Sequence, residues 1–243
     1  MTTAKYITQE RMELLTERIL TDYGFDPHQK RVQNVPIEEI VEFHFDLHIC
    51  WEPIDHFDPD GIVMAAILPT ERRIVLNETH RGLFDSKIGT YHFTLAHELG
   101  HWVLHSSGTP YRLRLRDTGP TGRSGSLNAD GALHETATAR LETVRPYYCR
   151  STSRKPPEEV QADLFAECLL MPRPMMERTV GQLRKMGKIH LSHLYGLAEC
   201  FRVSISALSV RLTRLQLLNI DADGNVRRPG ADRNTHEQLT LDL

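Results

Sequence analysis

The sequence predicts an α+β fold: a small, mostly antiparallel three-stranded sheet packed on a helical bundle, followed by C-terminal helices. Three observations predict it. Short runs at 48–52, 61–68 and 73–77 are rich in β-branched and apolar residues and are bounded by turn-formers. Apolar residues recur at three- and four-residue steps in 8–23, 158–172 and 179–218. Between these sets, residues 91–105 are apolar nearly all round, the pattern of a helix buried inside a core.

Taken in order, residues 8–23 form an amphipathic helix with Met12, Leu14, Leu15, Ile19 and Leu20 on its apolar side, stopped by Gly24 and Pro27. Pro36 opens a second helix at Ile37. The runs 61–68 and 73–77 flank Pro69-Thr70-Glu71-Arg72 and read as a β-hairpin whose edge can take an added peptide strand. Residues 106–157 lose all regular pattern: Gly108, Pro110, Gly119, Pro120, Gly122 and Gly125 interrupt it, giving a long flexible insertion. In 158–172, Val160, Leu164, Cys168 and Met171 recur at helical spacing, and Pro172 ends the helix. Two helices follow in 190–218, separated at Arg202-Val203-Ser204, with Ser204 as the cap of the second. They look like a helix-turn-helix. Only Arg202, Arg211 and Arg214 supply positive charge there, so direct nucleic-acid binding is not expected.

Composition excludes several classes. The formal charge of −3 over 243 residues gives no general attraction to nucleic acid or membrane. No apolar run approaches the roughly 20 residues of a membrane span, and the first residues lack the apolar core of a secretory signal. Four scattered cysteines without a C-x-x-C pair fit reduced thiols, so a cytoplasmic location is expected.

The chemistry lies in His97-Glu98-Leu99-Gly100-His101. On a helix, residues four apart sit one turn above each other with Cβ atoms roughly 5–6 Å apart. Two imidazoles so placed can close on one Zn²⁺, while Glu98, displaced by one residue, is set to take a proton from water as the general base. A catalytic zinc takes a third protein ligand and keeps one position open. Position 107 is Ser107, and His105 lies too far along the axis. The acidic helix offers Glu158, Glu159 and Glu167, which spacing alone does not separate; Ala162 and Ala166 would allow close packing on the histidine helix. Asp163 is placed to accept the second ring N–H of His97 or His101. Tyr91, His92, Tyr147, Tyr148 and Arg150 are candidate oxyanion donors, and Cys149 is a candidate thiolate latch.

Two stretches carry a family resemblance. One is Phe93-Thr94-Leu95-Ala96-His97-Glu98-Leu99-Gly100-His101; the other is Glu159-x-Gln161-Ala162-Asp163-x-Phe165-Ala166-x-x-Leu169-Leu170-Met171-Pro172. Together with Ile74-Val75-Leu76-Asn77 upstream, they resemble the ImmA/IrrE group of zinc metallopeptidases over roughly residues 10–218. The resemblance implies that His97, His101 and Glu159 hold zinc and that Glu98 is catalytic. It implies one metallopeptidase domain over 1–218, including the 106–157 insertion and a 179–218 C-terminal helical part, with 219–243 as a polar tail. It also implies a protein substrate, an Xre-type helix-turn-helix repressor. The alternatives are a non-catalytic zinc protein that sequesters a repressor, and DNA binding through 190–218.

Overall fold

The computed structural model describes residues 7–58, 62–106, 147–148, 156–221 and 224–228, with only the backbone described at 147 and 148. Eight helices occur among them: α1 (Gln9–Tyr23), α2 (Ile37–Glu39), α3 (Arg81–Ser86), α4 (Ile88–His105), α5 (Pro157–Leu170), α6 (Arg173–Met186), α7 (Leu191–Phe201) and α8 (Ile205–Arg214). Strands β1 (His48–Glu52), β2 (Ala65–Leu68), β3 (Arg73–Asn77) and β4 (Tyr147–Tyr148) make one sheet; β5 (Asn219–Ile220) and β6 (Val226–Arg227) make a ribbon. The arrangement is α+β. No described helix is long and apolar enough to cross a membrane.

The sheet order is β1-β3-β2-β4, and its pairing is mixed. β2 and β3 form the expected antiparallel hairpin, Ala65 opposite Leu76. Its turn is a 3₁₀ segment, Pro69–Glu71, closed by Arg72 in the left-handed region. β1, however, runs parallel to β3, from His48 opposite Arg73 to Glu52 opposite Asn77. A period-two pattern records which face a strand buries but not its direction. Asn77 ties the end of β3 to the chain around it: its amide donates to Val63 O and Asp55 Oδ1 and accepts from the backbone N–H of Ile54 and Thr79.

α4 lies between the hairpin and α5, and α5 also packs on α1. At its start α4 presses on the α7–α8 turn. A Cβ on Gly89 would stand 2.6 Å from Ser204 N and 2.6 Å from Val203 C, a space that only hydrogen fits. Ser204 caps α8 as expected, accepting from Ala207 N at 3.1 Å. α6 begins at Arg173, six residues before the expected 179, because Pro172 caps it and Pro174 occupies its first turn, where no N–H is needed. The segment expected as a tail from 219 starts with the β5–β6 ribbon, and 229–243 lie outside the described residues. The insertion lies outside them too, apart from Ser106, β4, Pro156 and Pro157.

Two side chains expected on apolar stripes, Leu14 and Val160, face outward instead. Next to Leu14, Glu13 is buried and meets the guanidinium of Arg211, which is fully buried. Both Arg211 terminal nitrogens donate to the Glu13 carboxylate at 2.7 Å, and its Nε donates to Met171 O at 3.0 Å. Arg214 pairs with the buried Glu167 at 2.9 Å. Two of the three helix-turn-helix arginines are therefore engaged by carboxylates of the protein itself. Removing one member of a buried pair strands the other, at a cost of about 3–5 kcal/mol. Arg211→Met is expected to lower stability by about 3 kcal/mol, and Glu13→Leu with Arg211→Met to recover most of it. Urea titrations read both, and a double variant as weak as the single would contradict the pairing.

Candidate metal centre

α4 carries His97, Glu98 and His101 in its middle two turns, all buried. α5 brings Glu159 from its first turn. Small residues set the distance between the two helices. A Cβ on Gly100 would stand 3.2 Å from Ala162 Cα and 3.1 Å from the Phe165 ring, so α4 and α5 touch backbone to backbone beside His101. This is the close packing expected from Ala162.

The three groups converge. His97 Nε2 lies 3.1 Å from His101 Nε2 and 3.2 Å from Glu159 Oε2, and His101 Nε2 lies 3.3 Å from Glu159 Oε1. Ligand atoms held at about 2.0–2.1 Å in tetrahedral directions stand about 3.3–3.4 Å apart. One atom from each of His97, His101 and Glu159 lies within 4.8 Å of the others, and the cluster can hold a metal ion. On the far side of His97, Nδ1 meets Asp163 Oδ1 at 3.0 Å. That contact makes Nδ1 the donor and leaves Nε2 a lone pair for the centre. Of the two imidazoles considered as partners for Asp163, it is His97 that is met.

The electrostatics agree with this geometry. Burial disfavours charge on His97, yet the hydrogen bonds to Asp163 and Glu159 outweigh it and raise the ring to about 9. Burial also works to raise Glu159, but hydrogen bonds with His101 and His97 reverse that and hold it at about 2. Both shifts mean that the surroundings favour a positive charge at this point, which a divalent ion supplies. Glu98 behaves differently. Burial drives it up to about 8, with His97 pulling it down, Glu159 pushing it up and the Ile67 backbone pulling it down. Neither Glu98 oxygen has a hydrogen-bond partner of good geometry among the described residues.

Other expectations fall elsewhere. Glu158 is not a ligand; its carbonyl lies 3.3 Å from His105 Nε2. Glu167 faces Arg214. The Tyr91 hydroxyl is committed to Glu38 at 2.6 Å, and His92 is buried, which pushes its ring below its usual pKa. Ser107, Cys149 and Arg150, and the side chains of Tyr147 and Tyr148, lie outside the described residues. The β2 edge expected to take a peptide strand is paired instead, with Tyr147 opposite Ile67 and Tyr148 opposite Ala66. His105, set aside as a ligand for lying too far along the axis, instead braces the first turn of α5.

No protein-family model matches this chain, and no curated protein matches it. Among solved structures, a Mycobacterium tuberculosis transcriptional regulator is similar, at 15% identity and a TM-score of 0.46. The similarity covers 92% of this chain and 55% of that one, so this chain spans about half the length of the regulator.

Partners that orient a ligating histidine typically change metal affinity 10–100-fold. Asp163→Asn is therefore expected to weaken metal retention by about 10–100-fold while leaving the fold intact. Competition with a chromogenic chelator measures it, and unchanged retention would remove Asp163 from the site.

Proposed function

We propose that this chain is a zinc-dependent endopeptidase of the ImmA/IrrE kind, acting on a protein substrate of the Xre-type helix-turn-helix repressor class. The observation that carries the reading is a buried Glu98 without a hydrogen-bond partner of good geometry among the described residues, one residue from His97 in a cluster that can hold a metal ion. A purely structural metal site has no use for such a carboxylate. Burying an unpaired carboxyl is costly, and the cost is understandable where the group handles protons.

His97, His101 and Glu159 would hold the ion. Their two neutral imidazoles and one carboxylate are a donor set suited to zinc with a fourth position left for water or substrate. Zinc bound there supplies Lewis acidity, polarising a carbonyl and lowering the pKa of water toward 7. Asp163 holds the His97 ring in the ligating tautomer. Glu98 accepts the proton of the attacking water and returns it to the leaving amine. A protein substrate is favoured over a small one by the motif resemblance, and the repressor class rests on that resemblance alone.

The test uses the Glu98→Gln chain as a trap. It is expected to keep the zinc content of the unaltered chain in elemental analysis and to co-purify with its substrate. The zinc-loaded unaltered chain should then cleave the captured protein, and Glu98→Gln should be slower by roughly 10²–10⁴-fold, the usual contribution of a general base. His97→Ala is expected to lose both zinc and cleavage. Full cleavage by Glu98→Gln would overturn the assignment of the base; zinc-free protein that cleaves equally well would overturn the metal.

A further inference from the structure

Several cations on this protein are matched by carboxylates. Arg18 pairs with Asp22, Arg73 with Glu52 and Glu71, Arg211 with Glu13, and Arg214 with Glu167. A cleft of about 370 Å³ lies between the C-terminal end of α6 and the β5–β6 ribbon, lined by Arg184, Lys188, Arg227 and Arg228 over a floor that includes Ile189 and Leu218. Arg227 meets Asp221 at 2.9 Å. Lys188 and Arg228 have no carboxylate partner among the described residues.

The cleft is formed by particular backbone choices. Gly187 ends α6 at φ 123 and ψ −145, a conformation reserved for glycine, and so lets the chain leave the helix axis with Lys188 and Ile189 on the cleft. Arg184 is held rather than loose: its Nη2 donates to Leu217 O at 2.6 Å. Its Nε is buried without a hydrogen-bond partner among the described residues. Among the described residues four cations share one carboxylate there; like charges so placed repel one another, and a polyanion relieves that repulsion. Guanidinium forks match phosphate oxygens two at a time.

We propose that this cleft binds a phosphate-bearing small molecule, with the cations on its phosphates and the apolar floor under its organic part. Concavity and an apolar floor favour a small ligand over a nucleic-acid backbone, which is tracked by an open basic groove. The volume lies in the range of small-molecule sites, roughly 300–1,000 Å³. The proposal does not depend on the metal centre.

The experiment is calorimetry on the full chain with inorganic pyrophosphate, AMP and ATP, with amide NMR following Gly187, Ile189 and Val226. Saturable binding at one site is expected, tighter for ATP than for AMP, with shifts concentrated at those amides. Lys188→Gln with Arg228→Gln, both exposed, should weaken binding by about tenfold or more through the loss of two charge-assisted contacts, while Arg18→Gln changes nothing. Pyrophosphate binding as tight as ATP would keep the site and make the phosphates its whole ligand. No binding, equal binding in the double variant, or binding of a short DNA duplex that ATP does not displace would overturn the proposal.

Discussion

The candidate site depends on how closely α4 and α5 approach each other. Gly100 sits immediately before His101, and Ala162 sits three residues after Glu159 on the same side of α5. The contact and the cluster are therefore the same piece of geometry. With only hydrogen at position 100, the backbones meet, and a carboxylate from the first turn of α5 reaches between two imidazoles on α4. Metal–ligand distances tolerate about 0.2 Å. A methyl group at position 100 would require the Phe165 ring or the α5 backbone to give by a few tenths of an ångström. The helix contact and the ligand triangle are thus held to similar tolerances.

The protein handles buried charge in two contrasting ways. Around Arg211 everything is satisfied internally: a two-pronged pair with Glu13 and a hydrogen bond to Met171 O. That cluster joins α1, α5 and α8 and needs no ligand. Around His97 and His101 the donors instead crowd together, with ring nitrogens facing each other at 3.1 Å and a carboxylate beside both. Groups with lone pairs gain nothing from that proximity unless a proton or a cation lies among them. The contrast separates an internal structural pair from a cluster able to hold a metal ion, and burial alone would not have distinguished them.

Much of this was legible from sequence because the informative signals are local. The spacing of His97 and His101 fixes their shared helix face, and Asp163, four residues after Glu159, falls one turn further along the same side of α5. The hairpin was legible from Pro69 and the apolar runs that flank it. What escaped is non-local or inverted. The parallel pairing of β1 with β3 depends on a connection through β2, which no residue pattern encodes. Glu13 and Leu14 exchange their usual places because Glu13 has a partner 198 residues away, so the apolar stripe misled at that turn. Glu159 could not be chosen from Glu158 and Glu167 by spacing, since each lies on a helix whose rotation about α4 is set only by tertiary packing. Prolines at 172 and 174 look like breakers but serve as the start of α6.

Glu98 then bears most directly on what kind of site this is. Its neighbours His97 and Glu159 have reasons to be buried, each being matched by the other, whereas Glu98 is matched by nothing of good geometry among the described residues. A buried unpaired polar group costs roughly 1–3 kcal/mol, a sizeable share of a stability of about 5–15 kcal/mol. Replacing it with an apolar residue of similar size would remove that cost, so stability gives no reason for a carboxylate here. The next polar backbone is that of Ile67 on β2, whose outer edge pairs with Tyr147 of the chain's own β4. Glu98 therefore stands between the ligand cluster and a strand edge that is already in use. On the proposed function, the partner of Glu98 arrives with the reactants, and an extended peptide reaching it along β2 would have to share or take over the hydrogen bonds that β4 makes.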